Sequence, residues 1–129
     1  MTGPRRCRTG RLRRGDDGAV TAETAMVLPL LVAMTVGLVW LLSLGVTQVR
    51  TVDAARETAR ALARDEPPEV AVGLGRQVAP DGARIEVAEA GGTVTVRVTS
   101  QVRGPGGLFD FVPSATVDAE AVALAEESS

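Results

Sequence analysis

The sequence predicts a membrane-anchored α+β chain. One long N-terminal helix is transmembrane and then projecting, and it leads to a small domain with a short helix and about three antiparallel strands. Three observations predict this class. Residues 24–49 form a run of 26 without a charge. Apolar residues then recur at three- and four-residue steps as far as Leu62, the helical period. Around Gly91-Gly92 the period falls to two, the period of a half-buried strand.

The uncharged run comes first. As a helix it would span roughly 39 Å, and a bilayer core needs only about 20 apolar residues. From Leu28-Pro29-Leu30-Leu31-Val32 to Val39-Trp40-Leu41-Leu42 it is apolar on every side, as a lipid-embedded helix must be. The apolar core of a cleavable secretory signal is shorter, about 7–15 residues. Ser43-Leu44-Gly45 still offers the small residues of a signal-peptidase site, so a secreted soluble binding domain beginning at Val46 is a competing organisation. Arg5, Arg6, Arg8, Arg11, Arg13 and Arg14 precede the span, against Arg50, Arg56, Arg60 and Arg64 beyond it. That bias places the N-terminus inside and the bulk of the chain outside the cytoplasmic membrane.

Past the span the helix turns amphipathic. Val49, Val52, Ala55, Ala59 and Leu62 lie on one side, with Arg50, Asp53, Arg56, Glu57, Arg60 and Arg64 on the others. Asp53 with Arg56, and Glu57 with Arg60, are opposite charges at i, i+3. One helix over residues 22–64 is expected, stopped by Pro67-Pro68. Pro29, its one internal breaker, removes the hydrogen bond to the Ala25 carbonyl and predicts a bend.

Residues 69–79 suit a short second helix through Val70, Leu74 and Val78, although Gly73 and Gly75 weaken it. Val94, Val96, Val98 and Val102 then alternate with Thr95, Arg97, Thr99 and Gln101. Ile85 and Val87 mark the hairpin partner, with Gly91-Gly92 in the turn. Residues 115–124 make a third, alanine-rich strand. The sheet's apolar face needs a cover, and the Val70–Leu74–Val78 face and the projecting helix can provide it. The chain thus divides into a basic leader (1–18), a long helix (19–64, span 24–49) and an external domain (65–129). A compact part of only about 60 residues is marginal alone and leans on partners. Leu108, Phe109 and Phe111 lie between Gly104-Pro105-Gly106-Gly107 and Pro113. They either plug the open end of the sheet or form an apolar contact for a neighbouring subunit or the membrane surface.

Enzyme chemistry finds little here. There is no His, Tyr or Lys, and the one cysteine, Cys7, sits in the leader. That removes the usual bases, nucleophiles and soft metal ligands. No catalytic residue, cofactor or metal site is expected, and the external domain can hold no disulfide within itself. Without residues 1–18 the chain keeps eight Arg against 14 acids, a net charge of −6, which argues against a nucleic-acid partner.

Glu23 stands apart. An acid at a helix N-terminus is stabilised by the macrodipole, which alone would explain it. A lone carboxylate at the mouth of a lipid-embedded helix also asks for a partner. Of the glycines ahead of the span, Gly3, Gly10, Gly15 and Gly18, only Gly18 has a carboxylate five positions on. Ala25, Pro29, Ala33, Gly37, Leu41 and Gly45 then repeat every four residues, a face of mostly small side chains on which helices can approach in lipid.

These features resemble the TadE-type minor pilins, or pseudopilins, of the tight-adherence type IV pilus system, in the form found in high-GC Gram-positive bacteria. The matching stretch is Gly18-Ala-Val-Thr-Ala-Glu-Thr-Ala-Met-Val-Leu-Pro-Leu-Leu. Val52-Asp-Ala-Ala-Arg-Glu-Thr-Ala-Arg-Ala-Leu-Ala-Arg and the ending Ala121-Val-Ala-Leu-Ala-Glu are also similar. Two positions depart: Thr24 stands where many such pilins have Tyr, and Asp17 where many have a basic residue. The resemblance implies cleavage by a prepilin peptidase between Gly18 and Ala19. It implies pairing of the new Ala19 amine with Glu23 of a neighbour, and extraction from the bilayer by an assembly ATPase and platform protein. The partners are then the peptidase, other pilin subunits, that machinery and the membrane. An uncleaved single-pass accessory protein is the alternative.

Overall fold

The computed structural model describes residues 2–3, 14–104 and 114–125, with residues 14–17 described as backbone only. The element order is α1 (Arg14–Ala63), α2 (Pro68–Val78), β1 (Arg84–Ala90), β2 (Thr93–Val102) and β3 (Ala115–Leu124). This is the expected α+β arrangement. The chain divides into two compact units, Met1–Val36 and Gly37–Ser129, and α1 contributes to both.

In the first unit α1 starts at Arg14, well ahead of residue 22. No proline precedes Pro29 within it. The helix continues unbroken past Pro29. Every side chain from Gly18 to Thr35 is exposed. The hydroxyls here need no outside partner: Thr24 Oγ1 donates to the Val20 carbonyl at 2.9 Å and Thr35 Oγ1 to Leu31 at 2.8 Å. Such i−4 bonds satisfy a polar group where lipid offers no acceptor.

In the second unit the same device recurs at Ser43, Thr47 and Thr51. From Thr51 onward α1 is one wall of the core. Thr51, Ala54, Ala55, Thr58, Ala59, Ala61 and Leu62 are buried, together with Ala71 of α2, Val94, Val96 and Val98 of β2 and Ala119 of β3. The buried stripe keeps Ala55, Ala59 and Leu62 of the expected one, with Val52 packed against it, widens to Thr51, Ala54, Thr58 and Ala61, and leaves Val49 exposed. It is built from small residues and two threonines, which bring the helix close to its neighbours.

The stop of α1 differs from expectation. The Glu66 amide donates to the Ala61 carbonyl at 3.2 Å and the Asp65 amide to Leu62 at 3.1 Å, with Asp65 left-handed at φ 60°. These are the two bonds of a Schellman motif, with Asp where glycine is usual. Pro67 and Pro68 instead begin α2, as N-cap and first helical residue. Pro67 accepts from the Ala71 amide at 3.0 Å.

The face of α2 is also corrected. Val70 and Val78 are exposed and only Leu74 of the expected trio packs on the core; the buried residues are Ala71 and Gly75. The reason is distance. A Cβ at Gly75 would collide with Thr58 Oγ1 and lie 3.2 Å from both the Ala54 carbonyl oxygen and Ile85 Cδ1. Branched side chains cannot occupy so close a crossing.

The sheet has the order β1-β2-β3, antiparallel throughout. Gly91 and Gly92, at φ 60° and 75°, make the two-residue turn that joins Ala90 to Thr93, as hairpin twist requires. The register sets Val96 between Val87 and Ala121, and Val98 between Ile85 and Ala119. That row faces α1 and α2. On the opposite face Arg97 lies between Glu86 and Glu120.

Candidate processing and assembly site

Gly18, Ala19 and Glu23 lie within the first turns of α1, and all three are exposed. Ala19 and Glu23 are four residues apart, so they share a face one turn apart. Glu23 belongs to neither ion pair among the described residues, which are Glu57–Arg60 at 3.5 Å and Arg97–Glu120 at 2.8 Å. A Cβ on Gly18 would meet nothing within 4 Å. Nothing among the described residues therefore requires glycine there, although glycine costs a helix interior about 1 kcal/mol relative to alanine.

The packing stripe is placed similarly. Ala25, Pro29, Ala33, Gly37 and Gly45 are exposed, and a Cβ at Gly37 or Gly45 would enter open space. The described residues leave this row uncovered. Leu108, Phe109 and Phe111 lie outside the described residues. No group of three or more His, Cys, Asp or Glu side chains suited to a metal ion occurs among the described residues.

Other polar contacts were not visible in sequence. Of the two expected helical pairs, Glu57 and Arg60 meet, whereas Asp53 and Arg56 form no ion pair. Arg97 and Glu120 are 23 positions apart and meet only through sheet register. The Glu120 hydrogen bond and charge, helped by Asp118 and Glu86, raise the Arg97 pKa above its ordinary value against slight desolvation.

The helix from Gly18 to Ala63 is long and apolar enough to cross a membrane, and its most apolar stretch has no buried residue. A core helix of a soluble fold would be covered; this one suggests a membrane anchor. Comparison adds a family for this segment. Residues 18–60 match the family model described as TadE-like protein. This segment is similar to the TadE-like family. The TadE-like match begins at Gly18 and ends inside α1, so it takes in Glu23, the apolar run and most of the core-forming stripe, and none of α2 or the sheet. It covers a third of the chain. No curated protein and no solved structure matches the chain.

Proposed function

We propose that this chain is a minor pilin or pseudopilin subunit of a tight-adherence type IV pilus, cut after Gly18 by a prepilin peptidase on the cytoplasmic side. The observation that carries this reading is the starting point of the TadE-like match. It falls on Gly18, the glycine that register alone selects as five positions ahead of a carboxylate. An exposed helical glycine that no described residue requires supports it, since a small residue there would suit an outside partner.

The mature chain would begin at Ala19. Its new amine and the Glu23 carboxylate lie on one helical face, and a neighbour displaced along the axis would bring the two charges together. Each is costly when desolvated singly, and pairing offsets much of that cost. The open row of Ala25, Ala33, Gly37 and Gly45, which winds around the helix, would receive adjacent helices in the bilayer or pilus. An assembly ATPase and platform protein would extract the subunit, with the domain outside and the N-terminus inside. The chain is substrate and building block, and it catalyses nothing.

N-terminal sequencing of the membrane-extracted protein tests the reading, with Ala19 as the expected first residue. Gly18→Val should block processing by filling the small site beside the scissile bond. A Gly18→Val chain still cut at that place would sink the prepilin assignment. The continuity of α1 from Arg14 through Gly18 favours one alternative, an uncleaved single-pass accessory protein. In that case the intact mass would retain residues 1–18.

A further inference from the structure

We propose that the end of the small domain from which the apolar helix emerges rests on anionic phospholipid headgroups through Arg50, Arg84 and Arg103. The inference needs only that the apolar part of α1 lies in a bilayer; it is independent of processing and of pili. Counted from Glu23, a hydrocarbon core of about 20 residues ends near Leu42. Ser43, Thr47 and Gln48 then occupy the headgroup depth, just beyond Trp40, a residue type favoured at that boundary. Arg50 follows at once, exposed, and the buried core stripe starts at Thr51. The base of the domain therefore sits against the membrane surface.

Chain direction decides what that base contains. α1 ends at Ala63 and α2 begins at Pro68, yet Gly75 sits against Ala54 and Thr58. α2 therefore runs back along α1 toward the span. The turn at Pro80-Asp81-Gly82, closed by the Ala83 amide on the Pro80 carbonyl at 3.1 Å, lies at the base. β1 leaves from there: Ile85 touches Gly75, and Val87 lines a hollow with Pro68 and Val72 nearer the start of α2. β2 pairs antiparallel with β1 and returns to the base at Val102 and Arg103.

Arg84 and Arg103 line one polar hollow at this end, with Thr99, Gln101 and Gly82, and Asp81 and Glu86 share it. Arg50, Arg84 and Arg103 are exposed, and none is in an ion pair among the described residues. Acids are not absent, since Asp53 and Asp118 also lie toward the base. Four further acids lie at the far end, where Asp65, Glu66 and Glu69 surround the α1–α2 link and Glu89 borders the hairpin turn. It is therefore the freedom and position of the three arginines, and not a net charge, that mark the base. Guanidinium forks match phosphate oxygens in pairs, and basic groups held close to an anionic bilayer are attracted to it. Asp81 and Glu86 weaken the hollow for any anion, and the tether to the bilayer, which holds headgroups close at high local concentration, favours the headgroup over a free anion.

The test uses the full chain in nanodiscs of phosphatidylcholine, with or without phosphatidylglycerol, read by backbone hydrogen exchange. Residues 79–85 and 99–104 should exchange several-fold more slowly with phosphatidylglycerol present, and the difference should shrink at high salt. Arg84→Gln with Arg103→Gln should abolish the difference. Arg84→Lys with Arg103→Lys should keep part of it, and Arg60→Gln with Arg64→Gln at the far end should keep all of it. Exchange at residues 94–98 reports in parallel that each variant remains folded. Equal protection of the unmodified chain in both lipids would overturn the proposal, as would its loss on changing Arg60 and Arg64.

Discussion

Gly75 of α2 lies directly against the Thr58 hydroxyl of α1, so close that no Cβ fits between them. Thr58 is fully buried, and its hydroxyl donates to the Ala54 carbonyl at 2.9 Å, which directs the oxygen at the crossing point. The contact decides which side of α2 faces inward. It makes Gly75 a requirement of packing, whereas Gly73, two residues earlier, meets nothing within 4 Å.

Gly75→Ala should destabilise the domain by about 1–3 kcal/mol through overpacking, despite alanine's better helix propensity. Gly73→Ala should stabilise it by about 0.5–1 kcal/mol, because only the glycine penalty is removed. Thr58→Ala should relieve part of the Gly75→Ala loss, giving a coupling of about 0.5–3 kcal/mol in a double-mutant cycle. Thermal or urea unfolding of the detergent-solubilised protein measures all four. Equal effects of the two glycine substitutions would contradict the close crossing.

Asp65 closes α1 in the left-handed region at φ 60°. Glycine adopts that conformation without strain, so Asp65→Gly should be neutral or stabilising by about 0.5 kcal/mol after its greater unfolded-state entropy is counted. Asp65→Val should cost about 1–2 kcal/mol, since a β-branched residue resists positive φ. The same unfolding measurement orders the three, and a valine variant as stable as the parent would contradict the Schellman geometry.

The sheet needs α1. Residues 51–62 supply one wall of the core, so a fragment of residues 67–129 should fail to melt cooperatively. A fragment of residues 50–129 should give an α+β circular dichroism spectrum and a cooperative melt, although of low stability for its size. A cooperative melt of the shorter fragment would mean that α2 and the sheet close a core without α1.

Glu23 should act in assembly and leave processing unchanged, because its carboxylate lies beyond the scissile bond. Glu23→Gln keeps the size and removes the charge. An Ala19 amine left unpaired in an apolar setting would cost about 3–5 kcal/mol, enough to deplete the subunit from pili. An exposed acid on the helix without that role would lose at most about 1 kcal/mol, and only where processing brings it near the new helix end. Pilus incorporation at matched expression, with the mature N-terminus sequenced in parallel, separates the two. Normal incorporation would reduce Glu23 to an exposed helix acid, and lost cleavage would move its role to the peptidase.

Composition and period determined most of the architecture by themselves. The span follows from 26 uncharged residues, β2 from the alternation of Val94, Val96 and Val98, the hairpin from Gly91-Gly92, and β3 has the bounds expected for it. The residues proposed for processing and assembly are legible for the same reason: a glycine, a carboxylate and an apolar run are local in sequence. Contacts between distant residues were decided only in the tertiary structure. Val70, Leu74 and Val78 have the right spacing for a buried face, yet the approach of α2 to Thr58 turns Ala71 and Gly75 inward instead. Arg97 and Glu120 meet because strand register aligns them, and no helical period relates them. Pro67-Pro68 looks like the end of a helix and begins the next one, since the Schellman bonds at Asp65 had already ended α1. Periodicity marks which residues want burial, and the depth and angle at which elements meet select which of them obtain it.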